Sequence, residues 1–153
     1  MTDTQGADAP QDGDNRLVRR QFAATLRRAR ASVGQQVASG LGARWRTDDV
    51  GTDLTSGVVA DECVRLAATL AFAIEMNDAD LFCDEIGWLA RMFQIRGYDG
   101  SRFLPRIFEA YAQACATLGP PETVRALVTP VLDAARRCVL PDGTPPDEAD
   151  HAG

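Results

Sequence analysis

The chain has 153 residues, a net charge of −6 and 45% hydrophobic residues, enough for one domain with its own core. No apolar run approaches the about 20 residues that cross a bilayer, so the sequence excludes a membrane-spanning protein and no membrane partner is expected. The opening residues are acidic and polar, unlike those of a signal peptide, and they predict a cytoplasmic protein.

The two ends of the chain differ from its middle. Residues 1–14 and 141–153 combine Asp, Gly and Pro without apolar periodicity. Such segments bury too little apolar surface to offset the entropy lost on ordering. We therefore expect two disordered tails, the first of them acidic, around a single helical domain at residues 15–140.

The first predicted helix follows the acidic tail. Its apolar residues recur at steps of three or four positions, which is one face of a helix. They are Val18, Phe22, Leu26, Ala29, Val33 and Val37. Gly40 and Gly42 come next and are predicted to end this helix.

Two further amphipathic helices are joined at Asn77-Asp78. The second predicted helix begins near Thr55 or Ser56, whose hydroxyls accept hydrogen bonds from free backbone amides. Its apolar stripe is Val59, Cys63, Leu66, Leu70 and Ile74. The third helix begins at Asn77 or Asp78 and ends at Gly97, because glycine adopts the left-handed conformation of a helix end. Its stripe is Phe82, Ile86, Leu89 and Phe93.

The last two predicted helices are separated by Gly119-Pro120-Pro121. The fourth contains Pro105 in or near its first turn, where a helix tolerates proline. Its apolar residues are Leu104, Ile107, Phe108, Tyr111, Cys115 and Leu118. The fifth contains Leu127, Val131, Leu132, Ala135 and Cys138, with Pro130 predicted to kink it. No segment alternates with a period of two, so the sequence predicts an all-α domain.

The cysteines and the single histidine restrict the chemistry. Cys63, Cys83, Cys115 and Cys138 are widely spaced, and each lies on or beside an apolar stripe. We expect four free thiols that act as small hydrophobes in a reducing compartment, not a metal site. The only histidine, His151, lies in the C-terminal tail. Without an internal imidazole, neither haem ligation nor His-based catalysis is expected, and the protein is predicted not to be an enzyme.

A series of short motifs lies between Val58 and Leu118. They are Ala73-Ile74, Asn77-Asp78, the apolar helix from Leu81 to Ile95, Arg96-Gly97-Tyr98 and Phe103-Leu104-Pro105. This order resembles that of phycobiliproteins and their bacterial globin-like relatives. The resemblance implies a globin-like, phycobiliprotein-like domain of about five to seven helices that binds a bilin, which is a linear tetrapyrrole.

The same resemblance indicates how a bilin would be held. Phycobiliproteins attach it through the Cys of a Cys-Leu-Arg-Asp run, and counting back from Asp78 puts Val59 at that position, so a covalent link there is excluded. Cys63 lies one turn further along and leaves a displaced thioether link open. Glu62 matches the Asp, which implies either a carboxylate that accepts pyrrole N–H hydrogen bonds or a solvated surface residue. The implied cofactor is a noncovalent bilin, with no haem.

Aromatic residues of the third and fourth helices have two interpretations. The set is Phe82, Trp88, Phe93, Phe103, Phe108 and Tyr111. It lines either a cleft for a flat ligand or, more commonly for such a stripe, the core. Trp88 lies off the main stripe and is the candidate exception. Arg65 and Arg91 are candidates to pair with tetrapyrrole propionates, although Arg91 also suits an exposed pair with Asp84 or Glu85.

Charge is segregated along the chain. The segment from Arg16 to Arg46 has eight arginines and no acidic residue. Four of them lie opposite the apolar stripe, namely Arg16, Arg20, Arg27 and Arg30. This basic amphipathic helix is either a solvated face or a contact surface. N-terminal helices pair subunits in phycobiliproteins, which implies a homodimer here or a contact with another protein. The net charge of −6 argues against a nucleic-acid partner.

Two functions remain open at this point. The first is a non-enzymatic sensor or carrier that binds a bilin noncovalently. Its candidate contacts are Glu62, Cys63, Arg65, Trp88 and Arg91. The second is a ligandless dimerisation or adaptor domain of a bacterial regulatory system, similar to the helical companions of cobalamin-binding regulators.

Overall fold

The computed structural model describes residues 5–45, 56–95 and 100–140, and within these ranges the regular elements are all helices. They are α1 (Gln5–Arg28), α2 (Arg30–Trp45), α3 (Ser56–Met76), α4 (Asp80–Ile95), α5 (Gly100–Cys115) and α6 (Pro121–Val139). This confirms an all-α domain of five to seven helices. The predicted C-terminal tail and the predicted helix end at Gly97 lie outside the described residues.

The first predicted helix is divided at Ala29 into α1 and α2, which stay joined by helical hydrogen bonds, and its predicted end is wrong. The Ala29 amide donates to the Thr25 carbonyl at 3.0 Å, and the Val33 amide donates to the Ala29 carbonyl at 2.9 Å, so helical hydrogen bonding crosses the boundary between α1 and α2. Gly40 and Gly42 lie inside α2. A helical glycine costs about 1 kcal/mol relative to alanine. Burial of Leu41 between the two glycines offsets this cost and carries the helix onward.

Helix α1 also begins earlier than expected. It starts at Gln5, within the segment expected to be a disordered tail, and continues through Asn15 without a break. Adding a residue to an existing helix costs far less than starting one. The packed part of α1 from Phe22 onward therefore supports helix formation in the residues before it, although residues 13–18 are exposed.

The core is built from the predicted apolar stripes. All four stripe residues of α4 are buried, and so are Cys63, Leu66, Leu70 and Ile74 of α3. Five of the six aromatic residues proposed for a cleft or a core are buried, namely Phe82, Phe93, Phe103, Phe108 and Tyr111. Trp88 is the exception, as its position off the stripe predicts, with 45% of its surface exposed. The five buried aromatic residues therefore belong to the core.

Helices α2 and α3 approach each other closely at Gly34. A Cβ atom at this position would lie 2.5 Å from the Val64 backbone nitrogen, closer than real contacts allow. Arg27 Nη2 also lies 2.6 Å from Glu75 Oε2, further along α3. The continuous α1–α2 rod therefore runs antiparallel to α3, and residues before Arg27 extend past the C-terminal end of α3.

The junction of α3 and α4 forms where the sequence predicts it. Asn77 adopts a positive φ of 51°, and the Asp78 amide donates to the Ala73 carbonyl at 2.9 Å, which together close α3 with asparagine in the usual place of glycine. The Asp78 carboxylate then accepts a hydrogen bond from the Asp80 amide at 3.1 Å. Helix α4 therefore starts at Asp80, just after the predicted Asn77 or Asp78.

Two of the four cysteines are not free, contrary to the sequence-based expectation. Cys83 of α4 and Cys138 of α6 form a disulfide with their Cα atoms 6.2 Å apart, within the usual range for such a bond. They lie 55 positions apart in the sequence, so only the packing of α4 against α6 brings them together. Cys63 and Cys115 are buried free thiols, as expected.

Candidate functional site

A charged cluster joins α3 and α4 on the outside of the bundle. Arg65 and Glu62 lie one turn apart on α3, and their side chains meet in a fork, with Arg65 Nε 3.2 Å from Glu62 Oε2 and Nη2 bonded to Oε1. Arg65 Nη1 also donates to Glu85 Oε2 of α4 at 2.6 Å. A guanidinium suits such planar pairing. Arg65 thus connects two helices through two carboxylates.

Trp88 completes this cluster. The guanidinium carbon of Arg65 lies 5.6 Å from the centroid of the Trp88 ring, a cation–π distance. Three predicted site residues, Glu62, Arg65 and Trp88, therefore lie together. Glu85 was not among the predicted site residues; the sequence offered it only as one of two alternative partners of Arg91, beside Asp84. The position of Glu85 one turn before Trp88 on the same helix could have indicated that the two side chains lie close together.

The hydrogen bonds of Arg65 hold this side chain in its charged form. The hydrogen bonds that Arg65 donates to Glu62 are the main cause that raises the pKa of Arg65, with a smaller contribution from the bond to Glu85. Arg65 therefore stays protonated at all physiological pH values, and three of its N–H groups are already bonded to carboxylates. Two of the five N–H groups of Arg65 are left for an incoming anion such as a propionate, which would lie beside two carboxylates that repel it.

Cys63 does not belong to this cluster. Its side chain is buried in the core, and its backbone carbonyl accepts a hydrogen bond from the Tyr111 hydroxyl of α5 at 2.5 Å. Burial raises the pKa of the Cys63 thiol to about 11. A neutral, inaccessible thiol is a weak nucleophile, so this position does not favour a thioether link.

Arg91, the fifth predicted site residue, is exposed on α4 and forms no ion pair within the described ranges. It lies one turn after Trp88 and is not joined to the cluster. The sequence alternative of a pair with Asp84 or Glu85 does not occur, since Glu85 bonds to Arg65 instead.

Three more exposed apolar residues extend the cluster along the hairpin. Phe72 and Met76 are exposed on α3, and Ile95 is 80% exposed on α4. The sequence did not lead us to predict these three residues, although their position off the buried stripes indicates that they are exposed. Helices α3 and α4 form a helical hairpin. We call the side of this hairpin that carries the four exposed apolar residues Phe72, Met76, Trp88 and Ile95 the hairpin face.

No group of three or more His, Cys, Asp or Glu side chains in the described part of the chain is arranged to hold a metal ion.

None of the helices at residues 5–45, 56–95 and 100–140 is both long and apolar enough to cross a membrane.

Comparison with protein families, curated proteins and solved structures finds no match. The arguments about function therefore rest on the chain itself. Chemically, the hairpin face offers aromatic and aliphatic contact area beside a fixed guanidinium and several carboxylates. Such a surface suits binding.

Proposed function

We propose that this domain is a non-enzymatic interaction module that self-associates through the N-terminal part of α1. The observation that carries the proposal is the exposure of an apolar pair, Leu17 at 53% and Val18 at 38%. Val18 continues the helical stripe of Phe22 and Leu26, yet the bundle ends before covering it. An apolar stripe that extends past its own core is suited to a partner.

Charge around this pair supports the same function. Arg16 and Arg20 are exposed beside Leu17 and Val18. We name residues 13–20 of α1 the arm. Its two exposed arginines and its apolar pair form a small amphipathic surface on a preformed helix, so little conformational entropy is lost on binding. The net charge of the whole chain is −6, which favours an acidic protein surface over nucleic acid as the partner.

The test is the molar mass of the protein in solution by light scattering. The wild-type chain is expected to form a dimer, and the double variant Leu17→Ser/Val18→Ser is expected to be monomeric. The variant Leu17→Met/Val18→Ile keeps the apolar surface and should remain dimeric. A wild-type monomer, or a serine variant with unchanged mass, would reject the proposal.

A second candidate is noncovalent binding of a bilin on the hairpin face, as a sensor or carrier. It is favoured by the proximity of Glu62, Arg65 and Trp88, which offer a carboxylate for pyrrole N–H groups, a guanidinium for a propionate and an indole for stacking. Its weakness is that Arg65 already bonds to two carboxylates. We consider it second for that reason.

Fluorescence titration with biliverdin tests this candidate. In a Trp45→Phe background, Trp88 is the only tryptophan of the chain. Saturable quenching of Trp88 that weakens in Arg65→Met would support bilin binding. Linear, non-saturating quenching that is equal in both proteins would reject it.

For the location of the domain we propose the cytoplasm. In that compartment, thiol reductants keep most cysteine pairs reduced. The Cys83 sulfur lies 3.3 Å from the Ala134 carbonyl oxygen, so the reduced thiol has a hydrogen-bond acceptor in place. The disulfide would then form only under oxidation, which thiol titration of protein isolated with an alkylating agent measures directly.

A further inference from the structure

The hairpin face is one continuous side of two helices. On α3, Phe72 and Met76 lie on the same side as Arg65, at spacings of seven and eleven residues. Arg65 contacts Glu85 and Trp88 of α4. The exposed apolar side of α3 therefore adjoins the exposed apolar side of α4, and the four residues of the hairpin face belong to one surface.

This surface is acidic. The hairpin from Ser56 to Ile95 contains seven carboxylates and two arginines. Glu75 is paired with Arg27 of α1, and Glu62 and Glu85 share Arg65. The exposed charges of the hairpin without an ion pair in the described residues are four carboxylates, Asp61, Asp78, Asp80 and Asp84, and one arginine, Arg91. A partner that covers the hairpin face must therefore bring positive charge as well as apolar area.

The arm has both properties. It exposes Leu17 and Val18 between Arg16 and Arg20. Its own hairpin face is out of reach, because α1 packs against α3 at Arg27 and a straight helix carries the arm past the end of α3. Reaching that face would require α1 to bend back and lose several backbone hydrogen bonds.

We infer that the arm of one chain docks on the hairpin face of a second copy of this chain. This inference rests on the proposed self-association and names its receptor surface. Each copy carries one arm and one hairpin face, so a reciprocal exchange uses both and closes a twofold dimer. Apolar contact supplies the buried area, while arginines facing Asp61 and Asp84 set the orientation.

Charge reversal on each side of the contact provides the test. One variant reverses the arm, Arg16→Glu/Arg20→Glu, and the other reverses the face, Asp61→Arg/Asp84→Arg. A matched control reverses two exposed carboxylates elsewhere, Glu109→Arg on α5 and Asp133→Arg on α6. Far-UV circular dichroism verifies that each variant is folded, and light scattering gives the molar mass.

Each reversal alone is expected to raise the dimer dissociation constant about tenfold or more, because like charges then face each other at both contacts. An equimolar mixture should form heterodimers close to wild-type affinity, since the reversed arm meets the reversed face and the native arm meets the native face. The control variant should dimerise like the wild type.

Other outcomes separate the two claims. If the arm variant is monomeric but the face variant still dimerises, the arm mediates association at another surface, and the docking inference is overturned while the proposed function stands. Failure of the mixture to associate, when each variant alone is monomeric, also overturns the docking inference. A wild-type monomer overturns both.

Discussion

Arg27 Nη2 of α1 lies 2.6 Å from Glu75 Oε2 at the C-terminal end of α3. Both side chains are partly exposed, so the ion pair itself contributes at most about 1 kcal/mol to stability. The ion pair matters because it fixes the position of α1 relative to α3. Together with the Gly34–Val64 contact, it fixes the direction of the α1–α2 rod along α3 and so determines where the arm leaves the bundle.

Replacing Gly34 by alanine should destabilise the domain by about 1 to 3 kcal/mol. The new methyl group would lie 2.5 Å from the Val64 backbone nitrogen, and backbone atoms yield only if α2 and α3 move apart. The measurement is the urea midpoint followed by circular dichroism.

Gly40→Ala is the matched control for this variant. Gly40 is in the same helix, and nothing lies within 4 Å of a Cβ placed there. It should therefore stabilise the protein by about 0.5 to 1 kcal/mol through helix propensity. Equal effects of the two substitutions would contradict the close approach of α2 to α3.

Thiol titration should give different counts in three states. Unreduced native protein should react slowly, because both free thiols, Cys63 and Cys115, are buried. Oxidised protein in denaturant should show two thiols, and reduced, denatured protein all four. Four thiols in the unreduced denatured chain, prepared in the presence of oxidant, would show that Cys83 and Cys138 do not pair.

Reduction of the Cys83–Cys138 bond should lower the free energy of unfolding by about 2 to 4 kcal/mol. The bond closes a loop of 55 positions and ties the end of α6 to α4, which restricts the unfolded chain. Urea midpoints with and without reductant measure the effect. Cys83→Ser/Cys138→Ser is the control and should be insensitive to reductant; sensitivity in that variant would assign the effect to another cause.

Stability should decrease as the pH rises above 9. Burial raises the pKa of Cys63 to about 11 and that of Cys115 to about 12, from an ordinary value of 9.0. Between these values the unfolded chain loses thiol protons that the native chain keeps, so the thiols favour folding fully below pH 9 and progressively less above it. The slope reaches about 1.4 kcal/mol per pH unit for each thiol.

Cys115→Ala tests the origin of this slope. The variant should be less stable at neutral pH, because a buried atom is removed, yet its urea midpoint should decline less steeply at alkaline pH than that of the wild type. Parallel declines in the two proteins would mean that the Cys115 thiol does not titrate as its burial requires.

Apolar periodicity predicted much of the bundle because it reports burial directly. It identified α3, α4 and their stripes, and it separated the exposed Trp88 from the buried aromatics. It failed at Gly40 and Gly42, where a local preference for ending a helix is outweighed by the burial of Leu41. It also could not predict the helix from Gln5 to Asp14, because this part of α1 continues no apolar stripe.

Contacts between different helices could not be predicted from the sequence, because they depend on how the helices pack in three dimensions. The Cys83–Cys138 pairing depends on how α4 packs against α6, and spacing alone does not specify it. In the candidate site, Glu62 and Arg65 were recognisable as neighbours on one helix, but the bond from Arg65 to Glu85 crosses to another. Cys63 shares the turn of Glu62 yet is buried in the core.

Sedimentation equilibrium of the full wild-type chain tests self-association most directly. The account predicts a mass approaching twice the 16.5 kDa of one chain at about 0.1 M salt. The dimer dissociation constant should rise at about 1 M salt, where charges separated by more than about 3 Å are screened, while the apolar contact remains. A mass of 16.5 kDa at every protein concentration and at both salt concentrations would contradict it.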